Sequence, residues 1–180
     1  MRALPAAPLM LLVTVACRPD TTRPAITPLP EAAATEIRLA PQEAIRNLAS
    51  ALEADSIRPA RVRLRDAYLE TGWLDSATTR PTARRPIGTD VVKLRAWADP
   101  GRPGNAVVIV ETLYRPLADP SLPERELEQQ VPPSHPVAAK VDSILDAMLK
   151  RYGGPPREEP AAPTPEGATG GPPAREPAEE

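Results

Sequence analysis

The chain has 180 residues, of which 26 are proline and none is phenylalanine, with only two tryptophans and three tyrosines. Proline therefore occurs at roughly three times its average frequency, which predicts unfolded segments on either side of one modest folded domain. The 22 basic and 24 acidic residues give a formal net charge of −2. This balance excludes a general electrostatic attraction to nucleic acid, and we expect no nucleic-acid partner.

The first apolar segment follows Arg2 and has its core at residues 9–16. It is interrupted upstream by Pro5 and Pro8, and it is too short for a transmembrane helix, which needs about 20 apolar residues. A short apolar run behind one positive charge is typical of a secretory signal. The run ends at Cys17, the only cysteine, which has no partner for a disulfide.

The segment Thr14-Val15-Ala16-Cys17 resembles the cleavage site of bacterial lipoprotein precursors, although Thr14 stands where leucine is usual. The resemblance implies that residues 1–16 are a lipoprotein signal peptide and that the sulfur of Cys17 carries the lipid. Arg18 stands in place of the aspartate that often retains such proteins at the inner membrane. This implies the periplasmic side of the outer membrane. The alternative is an ordinary signal peptide with an incidental cysteine.

Proline spacing divides the mature chain into three parts. Residues 17–34 contain four prolines and are predicted to form a tether that reaches about 50 Å if it is semi-extended. Residues 154–180 are rich in proline and glutamate and are predicted to be a disordered acidic tail. The folded domain is therefore expected at residues 35–153.

The first half of this domain predicts a short strand at residues 35–39 and an amphipathic helix at residues 42–55. Two strands follow, at residues 61–65 and 69–73. The apolar positions change parity between them, which requires a turn or bulge near Asp66 and Ala67 because a strand alternates faces strictly.

The second half predicts an antiparallel hairpin whose strands, residues 92–98 and 105–115, flank a Pro- and Gly-rich turn. One or two helical turns are expected after Pro123. A final helix is predicted to be capped by Ser134 and to end at Gly153, with an apolar stripe facing the core.

This order of elements predicts an α+β two-layer sandwich, with a small antiparallel sheet of four to five strands covered by two helices. In element order and lipid signal it resembles the helix-grip outer-membrane lipoproteins of the BamC type, and the segment 69–74 is loosely similar to a strand of those domains. The resemblance implies a scaffolding role accessory to outer-membrane assembly.

Charge is unevenly distributed in the domain, since seven arginines and three acidic residues lie between Ser56 and Pro86. We expect Arg80, Arg84, Arg85 and an exposed Trp97 to bind an anionic envelope partner, such as lipid phosphates, peptidoglycan carboxylates or an acidic protein loop. The alternatives are that the arginines form a solvated face or pair with the acidic segment 117–131 of the same molecule, and that Trp97 packs in the core.

Few residues offer catalytic chemistry. One histidine, His135, and one cysteine are too few for a metal site, and no glycine-rich phosphate loop is present, so we expect neither a metal nor a cofactor. The sequence favours a non-enzymatic protein. Two alternatives stay open: a carrier of a small apolar ligand between sheet and helices, and a small hydrolase using carboxylates or Ser134. The carboxylates considered are Asp66, Glu70 and Glu111.

Overall fold

The computed structural model describes residue 23 and residues 26–155. The predicted signal peptide, Cys17 and residues 156–180 of the predicted tail lie outside the described residues. The described part contains ten regular elements, which follow one another along the chain as β1 (Ala33–Ile37), α1 (Pro41–Ala54), β2 (Pro59–Arg63), β3 (Tyr68–Thr71), β4 (Leu74–Asp75), β5 (Gly88–Pro100), β6 (Ala106–Arg115), α2 (Glu124–Leu127), β7 (Gln129–Gln130) and α3 (Pro136–Tyr152).

The strands form one antiparallel sheet in the order β1-β6-β5-β3-β2. The short strand β4 pairs with β5 beyond the end of β3, and β7 pairs with β6. The antiparallel β5–β6 hairpin, which the turn and the β-branched residues predicted, lies at the centre of this sheet. The α+β class is confirmed, with two further short strands added to the predicted sheet.

The helices α1 and α3 cover one face of the sheet and form the apolar core. Leu48 and Leu52 of α1 and Leu145 of α3 are fully buried with Leu94 and Val108 of the sheet. A buried side chain of this size contributes about 1.5–3 kcal/mol through the hydrophobic effect. Packing of these apolar stripes therefore accounts for the two predicted helices.

The predicted break between the second and third strands is confirmed. A 3₁₀ turn at Leu64–Asp66 separates β2 from β3, and Ala67 adopts a left-handed conformation with φ +45°. The turn inserts residues that belong to neither strand. Beyond it Leu69 of β3 is fully buried, whereas its register partner Val62 in β2 is 44% exposed.

The second face of the sheet is covered by chain segments instead of long helices. The short helix α2 lies over it, where Arg125 contacts Glu111 of β6, and residues 26–32, which were assigned to the tether, also run across it. The backbone N–H of Leu29 donates to Glu111 at 3.0 Å, and the Thr27 carbonyl accepts from Arg125 at 2.9 Å. We call residue 23 together with residues 26–32 the strap.

No helix within the described residues combines the length and hydrophobicity needed to cross a bilayer.

Candidate functional site: the arginine edge

The arginine-rich region predicted from the sequence lies along one outer edge of the sheet. Strand β2 is the last strand on this side and pairs only with β3. Beyond the end of β3, Leu74 of β4 pairs with Val92 on one side and bridges to Pro81 on the other. The chain from β2 and the loop at residues 76–87 therefore occupy the same side of the sheet, one after the other.

We define the arginine edge as the seven arginines of these two segments. All seven are exposed: Arg58, Arg61, Arg63, Arg65, Arg80, Arg84 and Arg85. Two form ion pairs, Arg61 with Glu70 at 2.7 Å and Arg84 with Asp75 at 3.1 Å. Within the described residues, the other five guanidinium groups have neither an ion pair nor a hydrogen bond. This edge is therefore a row of solvated positive charges.

The loop that carries Arg80 and Arg84 has a defined local structure. Asp75 accepts hydrogen bonds from the backbone N–H and the hydroxyl of Thr78, both at 3.0 Å. Main-chain bonds from Asp75 to Arg80 and from Thr82 to Trp73 close the loop onto β4. The bonds from Thr78, followed by the one from Arg84, hold the pKa of the Asp75 carboxyl below its usual value. The arginines are thus presented on an ordered support.

Strand β2 has one unpaired side, and four of its five residues are exposed. Val62 is 44% exposed, between two arginines. Charged side chains on an edge strand oppose uncontrolled pairing with other strands. The same charges give this edge a positive electrostatic field.

The alternative that these arginines pair with the acidic segment of the same molecule is wrong. Glu124 pairs with Arg115 at 2.7 Å. Glu128 is buried and lies 2.6 Å from both Lys93 and Arg95. Within the described residues, the ion pairs of the acidic segment are therefore made with cations on the second face of the sheet, and none is made with the arginine edge.

Sequence reasoning missed this ionic network on the second face. Arg125 makes two contacts with Glu111, at 2.5 and 2.7 Å, and Arg95 contacts Glu111 at 3.4 Å. Arg95 and Glu111 are directly opposed in the β5–β6 pairing, and Lys93 lies on the same face. The alternation of the strands could have placed Lys93, Arg95 and Glu111 on one face. Their partners Arg125 and Glu128 could not have been identified in this way, because they come from a segment distant in sequence.

The expectation of an exposed Trp97 is wrong. Its parity places it on the second face, as predicted, but it is 0% exposed. Arg23 of the strap lies over its ring, 5.8 Å from the centroid, and its indole N–H donates to Asp99 at 3.1 Å. Trp97 therefore contributes to packing under the strap and is not available to a partner.

The carboxylates of the hydrolase alternative do not face one another across a cleft. Glu70 of β3 and Glu111 of β6 lie on either side of Arg95 of β5, each directly paired with it in the sheet. Glu70 accepts from the Tyr68 hydroxyl at 2.7 Å, and Glu111 is 0% exposed beneath Arg125. Asp66 is buried in the 3₁₀ turn. Each named acid is held in a structural contact or in the packed interior.

Ser134 and His135 do not form a nucleophile and base. The Nδ1 atom of His135 accepts from the backbone N–H of Val137 at 3.2 Å, and Nε2 lies 3.1 Å from the Thr89 carbonyl. His135 therefore caps α3, the role predicted for Ser134, and both ring nitrogens are occupied. Ser134 is exposed outside the helix.

A groove of about 350 Å³ lies on the outer surface, between α1 and α3. Small exposed residues line part of it, including Ser50, Ser143 and Ala147. The apolar carrier alternative requires a cavity between the sheet and the helices, and this groove lies on the solvent side of the helix layer. It does not correspond to that expectation.

Within the described residues no group of three or more histidine, cysteine or acidic side chains could hold a metal ion. A comparison with models of known protein families found no match. A comparison with curated proteins likewise found no significant match.

Proposed function

We propose that this chain is a lipid-anchored envelope protein whose folded domain binds an anionic envelope component through the arginine edge, without catalysing a reaction. The anchor is the acylated sulfur of Cys17, and the location is the periplasmic side of the outer membrane. Support for the anchor comes from the short apolar run and the lipoprotein-like residues that end at the only cysteine.

One observation carries the binding proposal. Five of the seven exposed arginines on one sheet edge have no ion pair or hydrogen bond with any described residue, although the same domain contains an acidic segment. Within the described residues, the ion pairs of that segment, from Glu124 and Glu128, are made with cations of the second face. Guanidinium groups bind carboxylates and phosphates in bidentate geometry. The partner class is therefore an anionic surface, and an accessory role in outer-membrane assembly follows only from the resemblance to helix-grip lipoproteins.

The test is salt-dependent retention of the full lipidated chain, kept in detergent, on peptidoglycan sacculi, so that its acyl chains cannot hold it to the matrix. The variant R80A/R84A/R85A removes three charges from the loop without touching the core. If each exposed contact contributes about 0.2–1 kcal/mol, retention should fall roughly tenfold. The wild-type protein should also be released as salt rises.

A matched control is R46A/K150A/R151A, which removes the same charge from exposed positions of the helix layer. This variant should be retained like the wild-type protein. Equal retention of the edge variant and the control would refute binding by the edge.

A further inference from the structure

The strap determines which end of the folded domain is connected to the proposed lipid anchor at Cys17. Its contacts begin at Glu111, which accepts from the Leu29 backbone N–H, and at Arg125, which donates to the Thr27 carbonyl. Arg125 is itself clamped onto Glu111 through two nitrogen atoms. This part of the strap is therefore held by a buried ion pair at the centre of the second face.

Farther upstream, the strap reaches one end of the sheet. Arg23 forms an ion pair with Asp99 and lies over the Trp97 ring. Asp99 is the penultimate residue of β5, next to the turn that joins β5 to β6. We call this the hairpin end of the domain. The first described residue of the chain is thus docked there.

The number of residues between Arg23 and Cys17 limits the distance from the lipid. The two residues are six positions apart, and a fully extended chain spans about 20 Å over that length. The sequence alone predicted a tether of about 50 Å. If Cys17 is acylated, the hairpin end must lie within about 20 Å of the anchor.

The hairpin end also carries positive charge. Arg63 of β2 pairs with Tyr68 of β3, and Tyr68 pairs with Trp97, which lies near the end of β5. Arg65 lies in the 3₁₀ turn that follows β2. Arg38 lies just beyond the end of β1, and Arg102 lies in the hairpin turn. All four arginines are exposed, and among the described residues Arg102 alone of the four has an ion-pair partner, Glu36 at 3.6 Å. Glu43, in the first turn of α1, is an exposed acid.

Arg80, Arg84 and Arg85 lie at the opposite end. Asp75, at the base of their loop, pairs with Val91 near the start of β5. Eight residues of β5 separate Val91 from Asp99, a distance of about 26 Å along the strand. The arginine edge therefore runs from the anchored end of the domain to the distant end.

We propose that the docked strap seats the hairpin end against the bilayer, where Arg38, Arg63, Arg65 and Arg102 contact anionic phospholipid headgroups. This inference rests on the proposed lipidation of Cys17. It divides the arginine edge into a membrane-contacting part and a loop that points away from the bilayer. The loop is then free to meet a partner beyond the membrane.

The test uses the full lipidated chain in vesicles of zwitterionic phospholipid with or without phosphatidylglycerol. Acylation blocks the sulfur of Cys17, so a fluorophore attaches only to an introduced thiol, at Pro103→Cys in the hairpin turn or Ala83→Cys in the loop. Quenching by nitroxide-labelled headgroups should reduce fluorescence at position 103 and leave it unchanged at position 83. Phosphatidylglycerol should strengthen the quenching at position 103.

Three charge variants test the residues that we assign. Replacing all four hairpin-end arginines by alanine should abolish the effect of phosphatidylglycerol, whereas R80A/R84A/R85A should leave it intact. R23A should reduce the difference between the two labels, because it detaches the upstream part of the strap while the rest of the domain stays folded. Circular dichroism of each variant verifies folding.

The outcomes distinguish this inference from the proposed function. Mass spectrometry that finds Cys17 unmodified would refute the anchor and, with it, the seating of the domain. With Cys17 acylated, equal quenching at positions 103 and 83 would overturn the inference alone. So would vesicle contact that depends on Arg80, Arg84 and Arg85, which would leave binding by the edge in place.

Discussion

The second face of the sheet and the arginine edge use the same kind of charge in opposite ways. On the second face Lys93 and Arg95 have side chains about one-tenth exposed and are paired with buried glutamates. On the edge, the side chains of Arg61 and Arg84 are 56% and 60% exposed although they form ion pairs. The two regions show that position in the sheet, rather than local charge, decides which cations are structural.

The difference has an energetic basis. A buried ion pair costs desolvation energy that its attraction only partly offsets, but removing one member leaves an uncompensated charge and is strongly destabilising. An exposed pair contributes about 0–1 kcal/mol. Variants of the second face should therefore reduce stability, and variants of the edge should reduce binding while leaving stability almost unchanged.

The largest expected effect is that of Glu111→Gln. Glu111 is 0% exposed and accepts from Arg125, Arg95 and the Leu29 backbone N–H. When Glu111 loses its charge, Arg125 loses the carboxylate that it contacts and Arg95 keeps Glu128. We predict a loss of about 3–5 kcal/mol in the free energy of unfolding. Urea denaturation of the full chain measures this.

The control for Glu111→Gln is Glu124→Gln, because the Glu124 side chain is 72% exposed in its pair with Arg115. It should cost at most about 1 kcal/mol. Similar losses for the two variants would contradict the distinction between the two regions.

A smaller effect is expected for Trp97→Phe. The change removes the hydrogen bond to Asp99 and leaves a void in a fully buried site. We predict a loss of about 1–3 kcal/mol in the free energy of unfolding. In Trp73→Phe the ring remains beside Lys93 and Arg115, at a half-buried position, so its cost should be lower. A larger loss for Trp73→Phe than for Trp97→Phe would show that the strap does not bury Trp97.

The smallest expected effect concerns the pKa of Asp75 in the arginine loop. Hydrogen bonds from the backbone N–H and hydroxyl of Thr78 lower this pKa, so the stabilisation is present above the ordinary value of 3.8 and is lost as pH falls through the folded-state value. Thr78→Ala removes the hydroxyl and should raise the pKa toward 3.8, by more than Arg84→Ala does. NMR titration of the Asp75 carboxyl carbon would measure both; the reverse order would mean that Arg84 dominates the loop.

Local patterns predicted the elements whose partners are near in sequence. The apolar spacing of Val141, Leu145 and Met148 predicted α3, and all three are buried. The parity change between Leu64 and Leu69 predicted the break that the 3₁₀ turn provides. Both signals reflect a periodicity that a single segment must satisfy by itself.

The errors concern contacts between distant segments. The parity of Trp97 gave its face correctly, but its burial depends on Arg23, 74 positions upstream. The capping of α3 by His135 instead of Ser134 depends on where the helix begins, and sequence reading is least precise at such boundaries. The seven edge arginines were identified from charge alone, whereas their alignment along one edge required the sheet order.

The proposed compartment and the proposed orientation of the domain both depend on the proposed anchor, and intact mass spectrometry of the protein purified from membranes tests that anchor most directly. We predict a chain that begins at Cys17 and carries a diacylglyceryl group on the sulfur, with or without a further acyl group on the amine. A chain that retains residues 1–16, or that has a free thiol at Cys17, would contradict the proposed anchoring.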